Sequence, residues 1–183
     1  MYGNIGQAVQ VSLSNEVVLS ADVRGAATFQ LVTCLASSTV PAELRPRCVS
    51  LADANRTDRY VRHRLYYLYV DSLYETPLFK ADSSFILHKD TFFQGTYALE
   101  SVNYPDHYIK SDTNRLLRIA QQDNSADYNN TASFRIHHYD SSGINSRFVN
   151  DTVQICENYN QMEFCIRVSR KNIWGIASRK SRH

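Results

Sequence analysis

The segment from Tyr97 to Asp112, YALESVNYPDHYIKSD, brings together residue types that do chemistry in proteins: tyrosines, a histidine and carboxylates. Such a mixture is typical of a binding site or of one corner of a repeated structural unit. The usual catalytic motifs are missing, because the sequence has no glycine-rich phosphate loop, no His-Glu-x-x-His and no Ser/His/Asp order. The neighbouring His137 and His138 do not indicate a metal site, since adjacent strand residues point to opposite faces. We therefore expect no enzyme, no cofactor and no metal.

The composition is typical of one globular domain. The chain has 183 residues, of which 43% are hydrophobic, and its formal net charge is +2. A charge so near balance does not indicate a nucleic-acid partner. The sequence has no run of about 18 apolar residues, so it predicts no transmembrane helix. The first ten residues lack the pattern of a signal peptide.

Two residue patterns nevertheless indicate an extracellular protein. Three positions fit the N-glycosylation rule Asn-X-Ser/Thr: Asn55, Asn129 and Asn150. The four cysteines form two close pairs, Cys34 with Cys48 and Cys156 with Cys165. Four cysteines allow three pairings, of which two local disulfides are the simplest and suit an oxidising compartment. The alternative is four reduced, buried thiols. If the protein is secreted, we expect this chain to be a fragment or a processed piece of a larger one.

Short β-strands dominate the pattern along the chain. Seven segments rich in β-branched and aromatic residues read as strands: AVQVSL, EVVLSA, TFQLVTCL, LYYLYV, SSFILH, RLLRIA and ASFRIHH. Polar clusters such as SDTN and QDNSADYNN separate them as turns. The best helical candidate, PAELRPRCVSLADANR, is interrupted by Pro41 and Pro46. Many short strands predict an all-β barrel or sandwich.

The strand pattern repeats at fixed spacing. Tyr60 lies 25 residues before Phe85, and Tyr108 lies 26 before Phe134. A third copy is split between the two ends of the chain, in AATFQLV and in VQICENYNQMEFCIRVSRKNIWGIA. Three units of about four strands are what a β-trefoil requires. We predict one β-trefoil domain over 1–183, with units at about 48–90, 97–140 and 144–178, the last completed by 7–33.

Several repeated residues have a structural interpretation. The recurring aromatics of the first motif are expected in the core or at the rim of the barrel: Tyr60, Tyr108 and Phe164. The phenylalanines of the second motif are expected in the core: Phe29, Phe85 and Phe134. Asp58 and Asp106 are expected to form turns, where aspartate bonds its own backbone.

The motifs NYPDHYI and DRYVRH, with ADSSF and TASF downstream, resemble the arabinose-binding domain of B-type alpha-L-arabinofuranosidases. The resemblance implies a β-trefoil carbohydrate-binding module whose pockets hold furanose side chains through a histidine and an aspartate. On this sequence it implies a sugar site at His63 and Asp82, with Tyr60 as aromatic cover and Arg64 beside the histidine. A carboxylate accepts hydrogen bonds from sugar hydroxyls, and an imidazole either donates or accepts.

The other two units depart from that family pattern. Ser111 and Thr131 stand at the histidine and aspartate positions of the second unit, and Arg167 and Ala26 at those of the third. Two hypotheses follow. The first is a non-catalytic module that binds a glycan or glycoprotein. The second is a structural or adhesion module of a larger secreted protein, which has lost sugar binding and contacts protein partners. In the second case, His63 and Asp82 would be a surface pair without a ligand.

Overall fold

The computed structural model describes residues 8–20, 27–138, 152–159 and 162–169. Within these ranges there are thirteen β-strands, two short α-helices and one 3₁₀ helix, so the all-β class is confirmed. The strands are β1 (Ala8–Val11), β2 (Val17–Ser20), β3 (Thr28–Thr33), β4 (Cys48–Asp53), β5 (Arg59–Arg64), β6 (Tyr67–Ser72), β7 (Phe85–Lys89), β8 (Tyr97–Ser101), β9 (His107–Ser111), β10 (Leu117–Gln121), β11 (Phe134–His138), β12 (Thr152–Tyr159) and β13 (Met162–Ser169). The helices are α1 (Pro77–Asp82), α2 (Ala126–Thr131) and the 3₁₀ helix Arg45–Arg47.

All seven predicted strand segments fall on strands, whereas the helical candidate is wrong. Its residues form turns, the 3₁₀ helix and β4. The α-helices lie elsewhere, and six residues are too few to show a helical period in the sequence. Their start signals are local: Thr76 and Ser125 each accept a hydrogen bond from the backbone three residues on, at 3.2 and 3.0 Å.

The strand pairings form one sheet that closes on itself. The path runs β12-β11-β8-β9-β10-β6-β5-β4-β3-β13, and β13 pairs again with β12. β7 joins this path through β4 and β8, and β1 and β2 extend it from β13. A closed path leaves few strand edges exposed to other chains.

The same order of elements occurs twice in succession. β4, β5, β6, α1 and β7 are followed by β8, β9, β10, α2 and β11. Pro77 begins α1 and Ala126 begins α2, which is a shift of 49 residues. Asp58 and Asp106 occupy equivalent turns, and their backbone carbonyls accept hydrogen bonds from the residues directly after β6 and β10, at 2.8 and 2.9 Å. The repeated turns predicted from the sequence are therefore present.

Three strands from different parts of the chain also meet pairwise. β6 pairs with β10 at Tyr67 and Arg118. Single bridges join the β2 segment to both of them, at Glu16 with Tyr69 and at Val18 with Leu116. These pairings thus connect β2, β6 and β10, or the residues next to them, to one another.

The core lies inside the closed sheet and contains the predicted phenylalanines. Phe29, Phe85 and Phe134 are 1%, 0% and 1% exposed. Tyr108 is buried, and Tyr60 is half-buried at its strand. The core cluster also includes Val9, Val17, Leu19, Leu51, Val61, Leu68, Val70, Leu99, Ile109, Leu117 and Ile119. Among the described residues, no helix is long and apolar enough to cross a membrane.

Cys34 and Cys48 form a disulfide, which confirms one predicted pair. It packs with Val40 and Ile86 in a small cluster of its own. Cys156 and Cys165 are directly opposite each other in the β12–β13 ladder, and their disulfide remains a prediction.

The predicted glycosylation positions lie in different surroundings. Asn55 is exposed, whereas Asn129 is half-buried in α2 and its Oδ1 atom is buried. Asn150 and Ala26 lie outside the described residues, as does the basic end of the chain from residue 170.

Candidate functional site

The ladder between β7 and β8 brings two distant segments together. Phe85 pairs with Ser101, and the backbone N–H of Val102 donates to the Ser84 carbonyl at 3.1 Å. These bonds align the residues after β8 with the end of α1. Asn103 is therefore held beside Asp82, the last residue of the helix.

His63 approaches the same place from β5. The strand alternates, so that Val61 and His63 face the interior while Tyr60, Arg62 and Arg64 face the other way. His63 is 4% exposed and Asp82 is 7% exposed. The site is thus a buried polar cluster and not a surface pair.

Four side chains form this cluster, which we call the His63 cluster: His63, Asp82, Ser101 and Asn103. Asn103 Nδ2 donates to Asp82 Oδ1 at 2.8 Å. Asn103 Oδ1 lies 2.9 Å from His63 Nε2 and accepts from Ser101 Oγ at 2.9 Å. His63 Nε2 lies 3.6 Å from Asp82 Oδ1. Each buried polar group thus has a partner, as buried groups require.

Burial favours the neutral form of His63. Burial lowers the pKa of His63 below its ordinary value, although the Asn103 hydrogen bond and the Asp82 charge act in the opposite direction. Because the Asn103 amide donates to Asp82, its oxygen is turned toward His63. His63 Nε2 must then carry the proton, and Nδ1 carries the lone pair.

Charged side chains continue the cluster on the outer face of β5. Arg62 lies 3.7 Å from Asp82 Oδ2, and its Nε lies 2.8 Å from Asp71 Oδ2. Arg64 Nε lies 3.2 Å from the same Asp71 oxygen. Tyr60 is opposite Asp71 in the β5–β6 ladder. The structure therefore brings His63 and Asp82 together, while Tyr60 and Arg64 lie on the opposite face of the strand from His63.

Two exposed aromatic rings lie next to the His63 cluster. Tyr104 is 38% exposed, and its ring centroid is 5.3 Å from that of His63. Tyr66 is 44% exposed, lies 5.6 Å from Tyr104 and stacks on His107 at 6.2 Å. We call Tyr66 and Tyr104 the tyrosine pair. Their exposed faces can cover the apolar side of a ligand ring.

The turn that carries Tyr66 is strained. Leu65 and Tyr66 have φ angles of 48° and 72°. In such two-residue hairpin turns, positive φ angles are usually adopted by glycine or asparagine. Leu65 is 91% exposed. Strained non-glycine residues are common at functional sites, so the turn presents these side chains to solvent at an energetic cost.

The second unit has an open cavity where the first unit has the His63 cluster. Ser111 and Thr131 line a cavity of about 490 Å³ together with Lys110, Asp112 and Arg118. In the third unit, Arg167 lies on β13. Among the described residues, no group of three or more His, Cys, Asp or Glu side chains could hold a metal ion.

Sequence reasoning missed several residues of this site. Asn103 and Tyr104 were interpreted as part of a repeated corner, and Tyr66 as part of a strand. Their partners are distant in sequence, since Asn103 contacts Asp82 over 21 positions and His63 over 40. The pair Asn103-Tyr104, followed by a proline in a turn, was the sequence feature that could have indicated this part of the site.

The comparisons with known proteins agree with this description. The alpha-L-arabinofuranosidase B (ABFB) domain family matches residues 4–136. The chain therefore belongs to the ABFB domain family, and the resemblance seen in its motifs is confirmed. The comparison with curated proteins found no match.

Solved structures of arabinofuranosidases share the fold. One is an arabinofuranosidase complexed with arabinofuranosyl-alpha-1,2-xylobiose, with a TM-score of 0.52 and 20% identity over 74% of this chain. Another is a GH54 alpha-L-arabinofuranosidase soaked with a cyclic sulfate inhibitor, with a TM-score of 0.52 and 18% identity over 74% of this chain. The match covers 31% of each of those chains, so this chain corresponds to less than a third of their length.

Proposed function

We propose that this chain is a non-catalytic carbohydrate-binding module. The observation that carries the proposal is the His63 cluster, a buried and hydrogen-bonded polar group beside the exposed tyrosine pair, in a chain of the ABFB domain family. Sugar sites combine a few oriented polar groups with an aromatic face.

The fold of the proposed module is a β-trefoil with three units, one of them split between the ends of the chain. Three observations support this. The strand pairings close on themselves. The order of elements repeats after 49 residues. β2, β6 and β10 meet pairwise, as one hairpin from each of three units would.

In the proposed binding mode, the sugar ring rests on the tyrosine pair. Asp82 accepts from a ring hydroxyl, and Arg62, which lies 3.7 Å from Asp82, donates to a ring oxygen. Asn103 and Ser101 act as positioning residues, because their hydrogen bonds hold His63 and Asp82 in place. Little rearrangement is needed on binding, since the polar groups are already oriented.

The proposed setting is an extracellular glycoprotein, either secreted or at the cell surface, with glycans and extracellular proteins as partners. The Cys34–Cys48 disulfide supports an oxidising compartment. The exposed Asn55 supports glycosylation at that position. Mass spectrometry of the protein from its natural source, with and without glycosidase treatment, tests both features.

Titration with arabinofuranosyl-alpha-1,2-xylobiose and with a panel of neutral oligosaccharides tests sugar binding. We expect saturable binding by the wild type, and a loss of about tenfold or more in affinity for Tyr66→Ala and for Asp82→Asn. Phe93→Ala removes a similarly exposed aromatic ring and serves as the matched control, because Phe93 lies in the β7–β8 connection, at the end of that ladder opposite to Ser101. Circular dichroism checks that each variant is folded.

The competing hypothesis is a structural or adhesion module without a sugar site. The observation that favours it is the departure of the second unit, where Ser111 and Thr131 replace the histidine and the aspartate of the family pattern. If the folded wild-type chain binds no sugar at millimolar concentration, this alternative replaces our proposal. If Phe93→Ala weakens binding as much as Tyr66→Ala does, the site lies elsewhere.

A further inference from the structure

Arginine side chains line a second cavity on the outer face of β5 and β6. It has a volume of about 530 Å³ and is bordered by Arg56, Arg59, Arg62 and Arg64. We call it the arginine cavity. Among the described residues that line it, Asp71 is the only carboxylate.

The positive charge of the arginine cavity is only partly balanced. The single Asp71 carboxylate is shared, because its Oδ2 atom contacts both Arg62 and Arg64. Asp82 approaches Arg62 from the other side at 3.7 Å. Four guanidinium groups against these two carboxylates leave an excess of two positive charges.

Neither of the other two arginines, Arg59 and Arg56, is paired with a negatively charged group in the part of the chain that the structure describes. Arg59 donates to Asn15 Oδ1 at 2.6 Å and to the Val70 carbonyl, and neither acceptor carries a charge. Arg56 is exposed. Within the part of the chain that the structure describes, no carboxylate lies within salt-bridge distance of Arg56 or Arg59.

Such a cavity is suited to an oxyanion. Guanidinium groups present planar pairs of donors that match carboxylate, sulfate and phosphate oxygens. An aromatic wall is present as well, because Tyr74 is 68% exposed and lies 6.3 Å from Phe79, and both line the cavity. A small inorganic ion would not use that wall, whereas a sugar ring bearing an anionic group would.

We infer that the arginine cavity binds an acidic sugar residue, one that carries a carboxylate or a sulfate ester. This inference rests on the proposed function and extends it to the class of glycan. Arg62 connects the two sites, since it lines the cavity and also contacts Asp82 of the His63 cluster. A glycan that reaches from the tyrosine pair to the arginine cavity would place a neutral residue at the first and an acidic residue at the second.

Four small probes test the class of ligand: methyl glucuronide, methyl glucoside 6-sulfate, neutral methyl glucoside and inorganic sulfate. We expect the two anionic glycosides to bind the wild type at least about tenfold more tightly than the neutral one, and the advantage to shrink in high salt. The relative affinities of the glucuronide and the sulfate ester identify which oxyanion is preferred. Equal binding of the charged and neutral glycosides overturns the inference. Binding of inorganic sulfate as tight as that of the sulfated glycoside also overturns it, because the sugar ring would then contribute nothing.

Matched arginine substitutions locate the binding. Arg56→Gln is the main variant, since Arg56 is exposed and its loss removes charge without disturbing the core. Arg64→Gln is the second variant. Arg47→Gln removes the same charge from an exposed position outside the cavity and is the control. We expect Arg56→Gln and Arg64→Gln each to weaken the anionic glycosides about tenfold, and Arg56→Gln to leave binding of arabinofuranosyl-alpha-1,2-xylobiose unchanged. An equal loss in Arg47→Gln would show a general charge effect and overturn the inference.

The two proposals fail in different ways. If the neutral oligosaccharide binds through Tyr66 and acidic glycosides gain nothing from Arg56, the module stands and the acidic-sugar inference falls. If neither neutral nor acidic sugars bind the folded chain, the proposed function falls and the inference falls with it.

Discussion

Asn103 donates a hydrogen bond to Asp82 at 2.8 Å, although the two residues belong to successive repeats of the fold. The same amide accepts from Ser101 and lies 2.9 Å from the His63 ring nitrogen. The first repeat therefore supplies the histidine and the aspartate, and the second repeat supplies the amide that orients them. A site built in this way is completed only when both repeats are folded.

Replacing Asn103 by alanine is expected to destabilise the protein by about 1 to 3 kcal/mol, because the buried Asp82 and His63 would lose a shared partner. Urea unfolding of Asn103→Ala measures the loss. Asn114→Ala is the control, since Asn114 is exposed and lies in a turn. A stability equal to that of the wild type would show that water replaces the amide without cost.

Stability is expected to fall as the pH is lowered through the range just below about 6.5. Burial lowers the pKa of His63 in the folded state, so the unfolded chain takes up a proton first as the pH falls. The contribution is fully present above the unfolded-state pKa and is lost as the pH falls through the folded-state pKa. One such group changes the free energy of unfolding by at most about 1.4 kcal/mol per pH unit. Glu100, whose pKa is lowered by its hydrogen bond with His88, acts in the same direction at lower pH.

Urea unfolding between pH 7.5 and 5 measures this dependence. His63→Gln should have a flatter profile than the wild type over that range. Asn114→Ala, at an exposed turn position without a titratable group, should keep the wild-type slope. Parallel profiles for the wild type and His63→Gln would contradict the account of His63 as a buried neutral histidine.

Removing the Cys34–Cys48 disulfide is expected to cost about 3 kcal/mol, as estimated for a closed loop of this size. The double variant Cys34→Ser/Cys48→Ser is compared with the wild type by urea unfolding without reductant. The same variant tests the other predicted pair: a further loss of stability when reductant is added would indicate a bond between Cys156 and Cys165. An unchanged unfolding midpoint in the double variant would contradict a stabilising role for the first disulfide.

Tyr128→Phe is expected to destabilise the protein by about 1 to 2 kcal/mol. Tyr128 is 1% exposed, and its hydroxyl donates to the Ala120 carbonyl at 2.5 Å. A phenylalanine ring is accommodated at this position, because Phe79 occupies the equivalent helix position in the first repeat. The loss therefore reports the hydrogen bond alone. Tyr104→Phe, at an exposed ring, should change the free energy of unfolding by less than about 0.5 kcal/mol, and a similar loss in both variants would contradict this interpretation.

Much of the fold could be predicted from local pattern. Short runs of β-branched and aromatic residues marked seven strands, because those side chains pack well on the pleated surface of a sheet. The spacing of Phe85 and Phe134 revealed the repeat, since each occupies the same buried position in its unit. The short helices α1 and α2 were missed, because six residues show no period and their capping serine and threonine also occur in turns.

The candidate site was only partly predictable. His63 and Asp82 came from the resemblance to the family motif, and the structure brings them within 3.6 Å of each other. Tyr60 and Arg64 were assigned to the same site, yet strand alternation puts both on the other face from His63. The roles of these four residues in sugar binding remain predictions, of which the titrations test that of Asp82 and, for acidic glycosides, that of Arg64.

The sequence by itself determined the strands, the repeated turns at Asp58 and Asp106, the buried phenylalanines and the family. These depend on neighbouring residues and on side-chain volume, which a linear pattern carries. Only the tertiary structure decided that Asn103 meets Asp82, that Tyr66 and Tyr104 lie side by side, and that four arginines line one cavity. Those contacts depend on the register of pairing between distant strands, and that register is set by how the whole core packs.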